Sequence, residues 1–154
     1  MKILVLDLDG TTFITEKRFE ACLKEVNAKS LDELKGAQRR AFWNCFQSQK
    51  YMHLDEPNTL VIDFVRIMKS KGWLIYIVTG RSEKQREATL IQLATYNVPY
   101  DMLIMRPEGN YQKDFEFKGT YIMQWVSEGH EVIIIDDSVE VRNLLPGKAF
   151  DPKN

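Results

Sequence analysis

The sequence is short of most features that would place it outside the ordinary globular class. It has only two cysteines, Cys22 and Cys45, far apart and outside any CxxC or metal-type spacing. A disulfide framework or a zinc site is therefore not expected, and inert thiols in a reducing compartment fit better. No apolar run approaches the ~20 residues of a membrane-crossing helix. The N-terminal run Lys2–Leu6 is too short for a secretory leader and is followed at once by Asp7 and Asp9. The expectation is a cytoplasmic protein with no membrane partner. Neither sign of charge is in surplus: 21 basic and 22 acidic side chains leave a net charge of −1. That argues against gripping a long stretch of nucleic acid, though not against a single nucleic-acid end as substrate. Repeats, low-complexity tracts and linkers are lacking, and no obligate protein partner is evident.

What is present fits one domain. A chain of 154 residues, 44% hydrophobic and 28% charged, can bury a real core on folding. Strand-length apolar runs recur at Lys2–Leu8, Leu74–Val78, Met102–Met105 and Val132–Ile135, with a short edge strand near Ala149-Phe150. Helical patterns alternate with them. Thr59–Lys71 places Leu60, Phe64, Ile67 and Met68 on one face and stops at Gly72; Glu83–Tyr96 and Lys118–Glu128 behave similarly. This alternation predicts an α/β fold, a Rossmann-like doubly wound parallel sheet with helices on both faces. One segment breaks the rhythm. Residues from about 16 to 50 are helical and charged, without strand signals, and Ser30-Leu31-Asp32-Glu33 reads as a capping box opening a second helix. They predict a small helical insertion after the first strand, within a single domain spanning 1–154.

Chemistry concentrates at four strand ends. Asp7-Leu8-Asp9-Gly10-Thr11 follows the first strand. Residues two apart project to the same side, so both carboxylates can converge where the chain leaves the sheet, and Gly10 permits a sharp turn. Two close carboxylates repel unless a cation lies between them, and Mg²⁺ prefers such oxygen ligands. Thr79-Gly80-Arg81 ends the second strand, where a hydroxyl, backbone N–H groups and a bidentate guanidinium can cradle phosphate. After the third strand come two lysines, Lys113 and Lys118; the second is four residues beyond Asp114, a spacing at which they can pair on one helix face. Either lysine could neutralise a carboxylate nucleophile and a transferring phosphoryl group. Asp136-Asp137 ends the fourth strand as a second pair of candidate metal ligands. Ligands in open α/β sheets bind beyond the carboxyl ends of the strands, so all four groups share one edge.

These four groups together resemble the motifs of the haloacid dehalogenase superfamily, from Lys2 to about Asp137. The resemblance implies a sheet with the first strand central, the second and third to one side and the fourth and fifth to the other. It also implies Asp7 as nucleophile, Asp9 as general acid/base, and Mg²⁺ held by Asp7, the Asp9 carbonyl and Asp136. Phosphatase chemistry is implied rather than dehalogenation, because Asp9 supplies the second carboxylate. A narrower resemblance is to the 3′-phosphatase domain of phage polynucleotide kinase/phosphatase. It implies that Arg18 and Arg81 contact the substrate phosphate and that Asp114 and Lys118 form the motif's Asp-x-x-x-Lys, which prefers Lys118 over Lys113. No GxxxxGK[ST] occurs, so no kinase half is expected in this sequence. The expected function is a Mg²⁺-dependent phosphomonoester hydrolase, on a polynucleotide or nucleotide 3′-phosphate. The alternatives are a small-metabolite phosphatase of the same chemistry and a non-enzymatic phospho-receiver.

Overall fold

The computed structural model describes residues 1–153. Five strands form one sheet: β1 (Lys2–Leu6), β4 (Leu74–Ser82), β5 (Met102–Arg106), β6 (Glu131–Ile135) and β7 (Ala149–Phe150), in the order β5-β4-β1-β6-β7. Every pairing in it is parallel, with Ile3 opposite Leu74 on one side and Val132 on the other. A parallel neighbour can be reached only by a crossover, and the helices between these strands supply it. The central strand is buried on both faces because its side chains alternate. Leu4 and Leu6 enter one core with Ile75 and Ile77, whereas Ile3 and Val5 enter the other with Ile134 and Phe117. Helices α3 (Thr59–Ser70) and α4 (Arg86–Thr95) contribute to the first core; α5 (Asp114–Ser127) and the short α6 (Val139–Arg142) contribute to the second.

The insertion emerges between β2 (Phe13–Ile14) and β3 (Glu56–Pro57), which pair as a two-stranded antiparallel ribbon. It holds α1 (Glu16–Glu25) and α2 (Gly36–Phe46) around a small core of its own, with Cys22, Leu23, Phe42 and Cys45 buried. Phe19 meets Phe42 edge-on at 4.9 Å and Phe42 stacks on Trp43 at 5.0 Å. Such ring pairs contribute roughly 0.5–1.5 kcal/mol each beyond the area they bury. Both thiols are free and buried, and burial pushes their pKa values up, which makes them unreactive. Among the described residues no helix is long and apolar enough to cross a membrane.

Four local expectations need correction. Leu60, Phe64 and Ile67 are exposed, and α3 instead buries Val61, Ile62 and Val65, with Met68 packed beside them. The helix is apolar around most of its circumference, so its sequence supports two stripes, and the packing on the sheet selected the β-branched one. Ser30 does not cap a helix. The Glu33 carboxylate accepts from the Lys29 N–H at 3.0 Å, a single 3₁₀ turn follows, and α2 starts only at Gly36. Helix α5 begins at Asp114, one turn before Lys118, with Asp114 and Glu116 favouring the positive end of its dipole. Strand β4 runs on through Ser82 instead of ending at Val78, with a register shift between Thr79 and Ser82. A turn is delayed there until Ser82 and Gln85 form a reciprocal cap over the next residues.

Candidate active site

The site is built from the chain that leaves β1. Beyond Leu6 the backbone turns tightly, and Thr11, Thr12 and Phe13 all direct their N–H groups to the Leu8 carbonyl. Gly10 makes this turn at φ +80°, and a Cβ there would run into the Asp137 carboxylate. Only glycine satisfies both conditions. The turn fixes Asp7 from several sides. Its Oδ2 accepts from the Thr11 hydroxyl at 2.8 Å, and its backbone carbonyl accepts from the Thr12 hydroxyl at 2.7 Å. Its Oδ1 accepts from Lys118 Nζ at 2.8 Å.

Lys118 is buried in the second turn of α5, and its ammonium also donates to Asp136 Oδ2 at 2.8 Å and lies 3.3 Å from Asp114 Oδ2. Lys113 is exposed at the N-cap of that helix. Asp136 additionally accepts from the Ser138 N–H, and Asp137 donates its own N–H to the Thr11 hydroxyl. One ammonium thus faces several carboxylates. Burial pushes the Asp7 carboxyl up to about 7 against the pull of Lys118, with Asp136 adding to the rise. Burial and the neighbouring Asp7 raise Asp137 to about 6. Lys118 is held protonated by the carboxylates, Asp7 foremost, although burial alone would discharge it.

Asp7, Asp136 and Asp137 each offer an oxygen within 4.8 Å of the others. An all-oxygen set carrying surplus negative charge fits Mg²⁺ well. The Asp9 carboxylate does not join it. Its Oδ1 accepts from Arg18 at 2.6 Å and from Arg81 Nε at 2.9 Å, which turns the carboxylate toward the guanidiniums.

Arg18 and Arg81 are both fully buried and paired within the protein, and Arg81 also borders the cavity that Asp7 and Asp9 line. Arg18 also donates to Asp55 Oδ1 at 3.0 Å and to the Phe46 carbonyl at 3.1 Å. Arg81 also donates to Gln92, Thr89 and Asp55 Oδ2. Asp55, at the exit of the insertion, is held by both guanidiniums and by Gln92 Nε2 at 3.0 Å. The physical reason is local charge: two buried guanidiniums need two carboxylates, and Asp9 and Asp55 supply them. Burial opposes ionisation of Asp9, yet Arg81 and Arg18 hold its carboxyl below the usual range. The network spans α1, the end of the insertion, β4 and α4, so it also ties the insertion to the sheet.

A cavity of about 360 Å³ connects these groups, lined by Asp7, Asp9, Thr79, Gly80, Asp114 and Asp137 on the sheet side. Trp43, Phe46 and Gln47 of the insertion close it from above. Thr79 is buried, and its Oγ1 accepts from the Arg81 N–H at 3.0 Å. Gly80 has no room for a side chain, since a Cβ would lie 2.6 Å from Asp114 Oδ1. Asp114 is shared between Lys118 and Arg106, the latter at 2.9 Å. Asp55, Gln92, Thr11 and Thr12 were not singled out from sequence. Thr11 sits inside DxDGT and could have been, but Asp55 precedes an unremarkable Glu56-Pro57 and carries no local signal.

Comparison with known proteins follows the same lines. Residues 34–145 match the family described as the polynucleotide kinase PNKP phosphatase domain. Among solved structures, the chain is similar to one from a Pnkp1/Rnl/Hen1 RNA repair complex, with TM-score 0.70 and 23% identity over 97% of this chain and 42% of that one. It is also similar to a putative β-phosphoglucomutase from Thermotoga maritima, with TM-score 0.63 and 15% identity over 97% and 84% of the two chains. A haloacid dehalogenase-like hydrolase from Streptococcus pneumoniae gives TM-score 0.65 and 13% identity over 99% and 95%. At these identities the structures speak for the fold. The chain spans less than half the length of the repair-complex chain. A search of curated proteins finds no match.

Proposed function

The chain belongs to the polynucleotide kinase PNKP phosphatase domain family, a haloacid dehalogenase-type phosphatase family, and from that premise we propose that it removes the phosphate from the 3′ end of a nucleic acid or nucleotide. The observation that carries the chemistry is the convergence of Asp7, Lys118 and Asp136 through 2.8 Å contacts, with Asp7 lining a cavity that Asp9 also lines.

In this reading Asp7 attacks phosphorus in line and the alkoxide departs, leaving an aspartyl-phosphate that water then hydrolyses. Thr11 and Lys118 hold the attacking carboxylate in one orientation, which removes the entropy of finding it. Lys118 and the Thr79-Gly80 backbone stabilise charge on the phosphoryl oxygens, where catalysis of this transfer mostly lies. Asp7, Asp136 and Asp137, with the Asp9 carbonyl, would hold Mg²⁺, whose charge offsets the repulsion between carboxylate and phosphate.

Asp9 is the acid/base. Two guanidiniums favour its ionised form, which suits deprotonating the hydrolytic water in the second step. The same pairing makes it a reluctant acid in the first step, so poor leaving groups should be penalised. Arg18, Arg81 and Asp55 act through Asp9 as positioning residues. The test is a comparison of kcat/KM on matched 3′- and 5′-phosphorylated oligonucleotides, with sugar phosphates and an aryl phosphate alongside. The proposal expects the 3′ end to be preferred. A sugar phosphate hydrolysed more efficiently, or equal turnover of both ends, would overturn the substrate assignment and leave the general phosphatase.

A further inference from the structure

The strand ladder ends at the aspartate pair. The Asp7 N–H still reaches the Ile135 carbonyl at 3.1 Å, and the Asp136 N–H reaches the Phe150 carbonyl at 3.3 Å. The next two backbone groups, the Asp136 carbonyl and the Asp137 N–H, belong to the peptide that joins two of the three clustered aspartates. Both take side-chain partners. Arg142 Nη1 donates to the Asp136 carbonyl at 2.9 Å. The Asp137 N–H donates to Thr11 Oγ1 at 3.2 Å, and that hydroxyl donates onward to Asp7 Oδ2 at 2.8 Å. One hydrogen-bonded chain thus runs from a guanidinium, through the Asp136-Asp137 peptide, to Asp7. No step of the phosphoryl transfer uses Arg142.

Helix α6 brings the guanidinium there. The Ser138 hydroxyl caps this single turn by accepting from the Val141 N–H at 3.4 Å, and Val141, fully buried, pins it to the second core. Arg142, the next residue, reaches back to the sheet end, where its Nη2 also lies 3.5 Å from Asp151 Oδ2. A charged donor on a carbonyl is stronger than a neutral one. By polarising the peptide it also makes the N–H on the other side a better donor to Thr11. Mg²⁺ demands near-ideal octahedral geometry at short distances, so ligands on a segment that has left its ladder bind well only if that segment is held. Resting on the three-aspartate reading of the Mg²⁺ site, we propose that Arg142 is a positioning residue that locks the Asp136-Asp137 segment in its metal-binding geometry. Its charge acts in the opposite direction, since a cation beside the site disfavours Mg²⁺. The two contributions therefore differ in sign and can be told apart.

The test compares wild type with Arg142→Met, Arg142→Gln and Arg142→Lys. Met keeps an unbranched stem without a donor, Gln a neutral donor, and Lys a charged one. Mg²⁺ is titrated without substrate, by calorimetry and by the rise in Tm, and again through hydrolysis of an aryl phosphate. Arg142→Met should weaken Mg²⁺ by about 10- to 100-fold in all of these titrations, the usual cost of losing an outer-shell partner. Saturating Mg²⁺ should restore most of kcat, with KM for the aryl phosphate at the wild-type value. Arg142→Lys should bind Mg²⁺ nearly as wild type does, with Arg142→Gln between. An arginine that only stabilises the fold would lower Tm and leave the Mg²⁺ titrations unmoved, and that result overturns the proposal. So does tighter Mg²⁺ binding by Arg142→Met, the sign of charge acting alone, or a loss in Arg142→Lys as large as in Arg142→Met. Should Arg142→Met fail to fold, Arg142→Gln against Arg142→Lys gives the same decision. If wild type itself binds no Mg²⁺, the three-aspartate reading falls and takes the proposal with it, whereas normal binding by wild type and every variant removes Arg142 alone.

Discussion

Replacing Lys118 by Ala removes an ammonium that touches both Asp7 and Asp136. At an effective dielectric of about 20, each 2.8 Å contact represents a gross attraction of roughly 6 kcal/mol. Burying the lysine consumes much of that gain, so the net cost of deleting one partner of a buried pair is about 3–5 kcal/mol. In a domain of this size that corresponds to a fall in Tm of about 6–20 °C. The loss should depend on pH. At pH 8 the variant must bury carboxylates without their counter-ion, whereas at pH 5 Asp7 and Asp137, whose pKa values are raised to about 7 and 6, take up protons instead. The destabilisation at pH 5 should therefore be distinctly smaller. Activity is a separate readout. Deleting one group that stabilises charge in the transition state lowers kcat by about 10²–10³-fold, and Lys113→Ala, at an exposed position, should be nearly silent. Thermal melts at the two pH values and kcat/KM on an aryl phosphate provide the assay. A Lys118→Ala protein with less than tenfold loss, melting like wild type at pH 8, would refute the argument.

Two further outcomes follow from the same geometry. Gly10→Ala combines a left-handed backbone with a collision against Asp137, so it should cost at least ~1–3 kcal/mol and reduce the gain in Tm on adding Mg²⁺; a variant indistinguishable from wild type in both melts would contradict it. Between about pH 4 and 7 the folded, metal-free domain retains protons on Asp7 and Asp137 that the unfolded chain has released, so its stability falls as pH rises through that window. Mg²⁺ competes with those protons, so its increment in Tm should be larger at pH 8 than at pH 5, and an equal or reversed increment would count against the three-aspartate site.

Much of the fold could be read in advance because burial on both faces leaves a strong mark. The strands Lys2–Leu6 and Glu131–Ile135 are nearly unbroken apolar runs, and strand–helix alternation constrains how such runs can be ordered. The strand-end groups share an origin in that topology, which is why Asp7, Thr79, Lys118 and Asp136 could be named together before any coordinates. The phase of α3 could not, since Leu60 and Val61 are equally apolar and only the sheet decides which one is covered. The arginine network was illegible for a different reason. Arg18 meets Asp55 and Arg81 meets Asp9 across 37 and 72 residues of chain. A guanidinium that binds substrate and one that orients a catalytic carboxylate leave the same letter in the sequence. Asp55 is recognisable only once its buried partners are seen.

The central claim is that Asp7 carries the phosphoryl group, and trapping that adduct tests it most directly. In Asp9→Asn the first step can proceed with an aryl phosphate, whose leaving group needs little protonation, while the hydrolytic water lacks its base, a loss of roughly 10²–10⁴-fold. Rapid acid quench of that variant with Mg²⁺ and substrate, followed by peptide mass mapping, should find a single phosphoryl group on Asp7, absent from the Asp7→Asn, Asp9→Asn double variant. A phosphoryl group on any other residue, or undiminished turnover by Asp7→Asn alone, would contradict the account.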